Sequence, residues 1–258
     1  MSVWLCIPSA RSVAEVNARM DKWIAQGYRV LIQRDPGAGE PAGAVAHRRD
    51  SALVRKGINV LIREYRGYAE AVNFMVAGLL RYVPDCDWIV AAGDDTDPDP
   101  TKRAEEIARE CSDHFRNLHI EATGETIDVH PTFGIMQPTG DPWSDRQGRI
   151  IERIAGSPWL GREWCRRAYG GKGPLWPEFY HCFGDEHLQN VAIKIGIFWQ
   201  RPDLTHHHDN WARKRGDVRD MPEFLRIANS PEHWRESKAI FERLKAGGFA
   251  EANDLLLA

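Results

Sequence analysis

The sequence predicts an α/β protein built on a mostly parallel sheet flanked by helices, and three observations carry that expectation. Short apolar runs recur at 3–7, 28–33, 58–62 and 87–92. Stretches of helical periodicity lie between them, and the later apolar runs read as buried on both faces, as strands of a parallel sheet are. Each run also ends in polar, chemically usable residues, where ligands of such sheets gather.

The elements follow in order. The run 3–7 closes at Pro8-Ser9. Ser12 followed by Glu15 then forms a capping-box signature, and Val13, Val16, Met20, Trp23 and Ile24 fall on one helical face until Gly27 stops the helix. The second strand, 28–33, leads into a Gly/Pro-rich loop at 35–43, an expected helix at 45–56 and a third strand at 58–62. Val72, Met75, Val76, Leu79 and Leu80 mark the next helix, ended by Pro84, before the fourth strand. Beyond residue 100 the pattern is less regular: one or two strands within 127–137, a short helix at 162–169, a helix at 185–195 closed by Gly196, a strand at 197–200, and a last helix from Ser230-Pro231 to Gly247-Gly248.

Over 258 residues, 43% hydrophobic and 28% charged, the chain has ample material for a core. No linker-like composition divides it, so it reads as one domain over 1–220, in halves 1–100 and 101–220, with a helical appendage at 221–258. A net charge of −3 argues against a histone-like partner. No apolar stretch approaches the ~18 residues of a membrane span, and the first residues read as a strand rather than a signal peptide. Five cysteines, odd in number and without a C-x-x-C pair, are expected to be reduced thiols in a cytoplasmic setting.

The sharpest chemical signal is Asp94, Asp95, Asp97 and Asp99, four carboxylates in six positions directly after a buried strand. Such crowding is costly without a cation, and carboxylate with diphosphate oxygens is the hard ligand set that Mg²⁺ or Mn²⁺ prefers. Asp95 and Asp97 are the expected metal ligands. Asp99 reads as the cap of a helix with Pro100 at its first position. A second cluster, His206-His207-His208, places His206 and His208 on one side of an extended loop, where either could complete the metal site.

The order of these motifs resembles the nucleotide-sugar glycosyltransferases of the GT-A fold, especially the family 2-like ones. The match comprises Pro8-Ser9-Ala10-Arg11 after the first strand, Asp35 after the second, the helix opening 67–73, the acidic motif, and the late run 184–188. The resemblance implies a divalent cation at Asp95-Thr96-Asp97, with Asp94 adjacent, bridging the diphosphate of a nucleotide sugar. It implies nucleotide contacts from Pro8, Ser9, Arg11 and Asp35, and further donor contacts from Tyr68 and Asn73. It also assigns the acceptor-deprotonating carboxylate to Asp185, which has the family's spacing to Leu188. Gly184 stands where the family has Glu, so Glu186 is kept as a second candidate. Residues 1–100 become the nucleotide-sugar half and 101–220 the acceptor half.

Several features have two readings. Glu70 is either a crevice residue or an ordinary exposed acid, and Asp185 either a base or a first-turn acid kept ionised by the helix dipole. Trp143, Trp159, Trp164, Trp176, Phe179, Tyr180 and Phe183 suit acceptor stacking or a core. The glycines of 170–173 suit a lid. Small size and the basic residues Arg48, Arg49, Arg55, Lys56, Arg63 and Arg66, with 213–215 beyond, suggest DNA as acceptor, as in phage enzymes that glycosylate hydroxymethylated pyrimidines. Glycans and small molecules are the alternative acceptors. The other function classes are a nucleotidyltransferase or phosphohydrolase, which lacks a Walker-type loop, and a non-catalytic sugar-binding module, which would leave the acids idle.

Overall fold

The computed structural model describes residues 1–35, 53–54, 56–122, 125–141, 143–144, 150–151, 157–209, 211 and 221–255. The loop at 36–43 lies outside them, as does the helix expected at 45–56 apart from residues 53, 54 and 56.

The first strand, β1 (Ser2–Pro8), leads through Ser12 into α1 (Val13–Ala25). The expected capping box is present: the Glu15 amide donates to the Ser12 hydroxyl, and the Glu15 carboxylate accepts from the Ser12 amide. Then come β2 (Arg29–Arg34), β3 (Asn59–Ile62), α2 (Tyr68–Tyr82), β4 (Cys86–Ala91) and the two-residue β5 (Thr96–Asp97). Helix α3 (Ala104–Arg116) is followed by β6 (His119–Ala122), β7 (Glu125–Asp128), β8 (Ile135–Pro138), β9 (Trp143–Ser144), β10 (Ile150–Ile151) and β11 (Trp159–Gly161). The chain continues through α4 (Arg162–Gly171), α5 (Gly184–Lys194), β12 (Phe198–Arg201), β13 (His207–His208), α6 (Glu223–Ala228), α7 (Pro231–Ala246) and a closing 3₁₀ segment, Ala250–Leu255.

Seven strands form one mixed, mostly parallel sheet in the order β12–β8–β11–β4–β1–β2–β3. Strands β1 to β4 pair in parallel, β12 pairs in parallel with β8, and only β11 runs against its neighbours β4 and β8. Helices flank the sheet, so its central strands are apolar on both faces: residues 3–7 of β1 and 88–92 around the end of β4 are all buried. The chain order leaves β1 in both directions, to β2 and to β4, which opens a crevice at the carboxyl ends of β1 and β4.

One helix start departs from the sequence reading. Helix α3 begins at Ala104, not at Pro100, because the Asp99 carboxylate is engaged in a turn of its own, accepting from the amides of Thr101 and Lys102. Residues 231–255 also pack into the common core. Phe241, Phe249, Ala252 and Leu255 are buried in it, Lys194 of α5 donates to the carbonyls of Gly248 and Phe249, and Glu251 Oε1 lies 2.6 Å from Nε2 of the fully buried His187. All five cysteines are free thiols. Among the described residues, no helix is long and apolar enough to cross a membrane.

Candidate active site

The crevice is assembled first from the ends of β1 and β4. Ser9 is held by its amide to the Gln33 carbonyl at 2.9 Å, and its hydroxyl donates to Asp94 Oδ2 at 2.6 Å. Arg11 Nε donates to Asp94 Oδ1 at 2.8 Å, and Arg34 pins the Arg11 carbonyl from the next strand. The Pro-Ser-x-Arg turn and the first acid of the motif are thus one bonded unit. Burial pushes the Asp94 carboxyl above its ordinary value, against the opposing pull of Arg11 and Ser9.

Asp95 faces the other way, toward the histidine loop. Strand β13 pairs antiparallel with β5, and the Asp209 amide donates to the Asp95 carbonyl at 2.8 Å. That pairing brings His208 Nε2 to 3.2 Å from Asp95 Oδ1. Burial would raise the Asp95 carboxyl, but the bond and charge of His208, with help from Arg11, bring it below the ordinary value. Gly93 is needed beside it: a Cβ there would lie 2.5 Å from Asp95 Oδ1.

The remaining acids of the motif hold this loop in place. Asp97 is turned to α1, with Arg19 Nη1 at 3.0 Å and Lys22 Nζ at 2.7 Å, and the buried indole of Trp23 donates to the Thr96 carbonyl at 2.9 Å. Asp99 accepts from Thr101 and Lys102 and, across the sequence, from the Thr205 amide at 2.7 Å. Asp97 is therefore already engaged by two basic side chains of α1. His206 has a different set of direct partners. It is 4% exposed, its Nδ1 lies 2.7 Å from the Ser157 hydroxyl, and its ring packs on Trp23 and Trp159. The alternation that paired His206 with His208 fails because β13 comprises only residues 207–208 and His206 precedes it.

Asp185 enters from α5. Phe183 caps that helix in a left-handed conformation (φ 67°), which turns the chain so that Gly184-Asp185 starts the first turn. Burial pushes its pKa up, offset only in part by its backbone bonds, including the Glu186 amide at 3.0 Å, and by the charge of His208. Glu186 also titrates high, from burial and then from the neighbouring Asp185. Tyr68 and His181 stand close by, their rings edge-on at 6.2 Å. The Tyr68 phenol is raised by burial and then by Asp185, and Tyr65 by burial, with Tyr180 and Asp94 adding to it. Asp35, at the end of β2, accepts from the Tyr65 amide at 3.3 Å, and Pro8 closes β1 opposite Gln33. The crevice thus collects Ser9, Arg11, Asp94, Asp95, His208, Tyr68 and Asp185, together with His181, which sequence reasoning missed because a lone histidine in an aromatic loop has no pattern to mark it.

Other expected contributors serve the fold. The Asn73 amide is spent on the Leu175 backbone, donating to its carbonyl at 2.8 Å and accepting from its amide at 3.0 Å. Gly173 sits against that same side chain with φ 121°, a conformation and a space that a Cβ would not fit. Glu70 pairs with Arg63. Trp159, Trp164 and Phe179 are core, whereas Tyr180 and Phe183 remain partly open and meet His233 and Trp234 of α7. The Trp143 side chain lies outside the described residues. Of the basic residues, Arg48, Arg49, Arg55 and 213–215 also lie outside them, while Lys56, Arg63 and Arg66 each pair with an acid, Asp21, Glu70 and Glu64.

A divalent ion fits the donor set. A carboxylate oxygen and an imidazole nitrogen 3.2 Å apart have the spacing of adjacent ligand atoms around an ion with ~2.1 Å bonds, and the same spacing serves a direct charge-assisted hydrogen bond. Among the described residues no three His, Cys, Asp or Glu side chains gather to hold an ion unaided. Mg²⁺ and Mn²⁺ are commonly held by one or two protein groups together with substrate phosphates.

No protein-family model and no curated protein matches the chain. Among solved structures it is similar to S. aureus TarS (residues 1–349), with 9% identity and a TM-score of 0.48 over 80% of this chain and 59% of that one. It is similar to a Drosophila β1,4-galactosyltransferase 7 variant in complex with manganese, UDP-Gal and xylobiose, with 11% identity and a TM-score of 0.41 over 89% and 80% of the two chains. A 4-diphosphocytidyl-2C-methyl-D-erythritol synthase from Anaerococcus prevotii matches at 8% identity and a TM-score of 0.42 over 93% and 96%. The chain spans about three fifths of the TarS structure. A galactosyltransferase and a synthase stand side by side at this distance, so the reaction has to be argued from the site.

Proposed function

We propose that the chain is a metal-dependent glycosyltransferase that moves a sugar from a nucleotide-sugar donor, UDP-linked, to an acceptor hydroxyl. The observation that carries this reading is the convergence of Asp95 and His208 on one side of the β1/β4 crevice with a second, protonatable carboxylate, Asp185, at the start of α5. A nucleotide sugar requires those two things: a pole that holds a diphosphate, and a base beside the anomeric carbon.

In this reading Asp95 and His208 hold the cation, Mn²⁺ or Mg²⁺, which neutralises the diphosphate leaving group when bound. Arg11, Ser9 and Asp94 order the β1 turn next to it, with Pro8, Asp35 and Tyr68 facing the nucleotide. Asp185 takes the acceptor hydroxyl proton while the acceptor oxygen bonds to the anomeric carbon and the bond from that carbon to the diphosphate oxygen breaks. UDP leaves and the proton stays on Asp185. A carboxylate with a raised pKa suits this role, since its basicity is closer to the working pH than that of a solvated aspartate. The acceptor is read from a panel of glycans, small alcohols and hydroxymethylpyrimidine DNA.

The test is product analysis. With a UDP-sugar, Mn²⁺ and the acceptor panel, UDP and a glycosylated acceptor are expected. Pyrophosphate release from a nucleoside triphosphate and a sugar phosphate would establish the nucleotidyltransferase class instead. Binding of UDP-sugar without turnover on any acceptor, and without slow hydrolysis to free sugar, would leave a sugar-binding module.

A further inference from the structure

His181 lies in the loop between α4 and α5, four residues before Asp185, and its surroundings are unusual for a histidine without a partner. Its charged neighbours are Asp95, His208 and His233, and its ring meets Tyr68 edge-on at 6.2 Å. Its Nδ1 is sealed from solvent and has no hydrogen-bond partner in the protein. Leaving a buried polar atom unsatisfied costs the desolvation of that atom, so each such atom in a folded protein calls for an explanation. The comparable orphan on His187 sits in an aromatic box of Tyr169, Trp176, Phe179 and Phe249. His181 instead stands among the groups that line the crevice.

We propose that His181 is a further binding residue of this site, whose imidazole nitrogen takes a hydroxyl of the transferred sugar. The inference rests on the glycosyltransferase reading. Place in the crevice selects the sugar over the nucleotide: the charges that His181 faces are those of Asp95 and His208, assigned to the diphosphate end, and Asp185 lies near that same His208. The transferred sugar spans the gap between diphosphate and base. Chemistry selects a hydroxyl over a phosphate. A neutral imidazole has one nitrogen to donate and one to accept, and the buried His181 Nδ1 has no partner within the protein. A hydroxyl both donates and accepts, whereas a phosphate favours a cation.

The test separates sugar from nucleotide by titrating the full-length protein with UDP and with UDP-glucose, UDP-galactose and UDP-N-acetylglucosamine, all with Mn²⁺. The variants are His181→Phe, which keeps ring volume and the Tyr68 contact, and His181→Asn, whose amide reaches the Nδ1 position. For whichever UDP-sugar the parent binds, His181→Phe is expected to lose about tenfold or more in affinity while UDP affinity stays within twofold, and His181→Asn to recover most of the loss. A parent donor lacking the contacted hydroxyl should lose a similar factor, with no further loss in His181→Phe. Equal loss for UDP and UDP-sugar, or no loss for either, overturns the assignment of His181 and leaves the function intact. Failure of the parent to bind UDP or any UDP-sugar overturns the glycosyltransferase reading, and the assignment of His181 with it.

Discussion

The acids around the crevice divide into two groups, and the run 94–99 contributes to both. Asp95 and Asp185 face His208, Asp95 through a direct contact and Asp185 through its charge, and burial raises the Asp185 pKa. Asp94, Asp97 and Asp99 are spent on Ser9 and Arg11, on Arg19 and Lys22, and on backbone amides. All five are aspartates, and the difference is the donor each one meets. An acid met by a basic side chain or several N–H groups is already satisfied and fastens a loop, whereas an acid left facing an imidazole in a crevice keeps its capacity for a ligand.

The largest effect is expected at Asp185. Asp185→Asn should lower turnover by about 10² to 10⁴ with donor affinity unchanged, and Glu186→Gln much less. In the parent, kcat should rise with pH through a limb displaced upward from that of a solvated aspartate, because burial raises the Asp185 pKa and only the ionised form accepts a proton. That limb should vanish from the residual activity of Asp185→Asn, which steady-state pH profiles would show.

Asp99→Ala should instead act on stability. It frees the Thr101, Lys102 and Thr205 amides, and a loss of about 2 kcal/mol in denaturant unfolding is expected. Asp97→Asn should cost about 1 kcal/mol, as for a partly exposed pair, with donor affinity retained.

His206 and His208 offer the same contrast in another residue type. Burial lowers the His206 pKa to about 3. The unfolded chain, with a histidine near 6.5, therefore binds a proton that the folded one refuses between those values. The stability associated with His206 is fully present above pH ~6.5 and lost as pH falls toward 3, by up to about 1.4 kcal/mol per pH unit. Unfolding midpoints measured from pH 7 to 4.5 should fall, and should fall less steeply in His206→Asn.

Much of this was legible in the sequence, for identifiable reasons. The Ser12 and Glu15 box, the apolar runs of β1 and β4 and the Ser230-Pro231 start of α7 are local signals, and they stand in the structure within a residue or two. Strand β11 was not legible, because three residues have no period to read and its antiparallel pairing is set by β4 and β8. The site was legible as a place but not as a set of partners. The end of β4 drew attention to four acids, yet which of them stay in the crevice depends on Arg19 and Lys22, more than 70 residues away in sequence. Which histidine meets Asp95 depends on the pairing of β13 with β5. His181 carried no signal beyond its position shortly before Gly184-Asp185.

The most direct test of the division between crevice acids and anchor acids is one set of calorimetric titrations: UDP-sugar into the parent, Asp95→Asn and Asp97→Asn, each with and without Mn²⁺. The account predicts Mn²⁺-dependent binding in the parent. It predicts a loss of more than about 100-fold in Asp95→Asn, beyond what removal of an outer partner of a metal site costs, and parental affinity in Asp97→Asn. Equal loss in both variants would return Asp97 to the crevice, and undiminished Mn²⁺-dependent binding in Asp95→Asn would contradict the account outright.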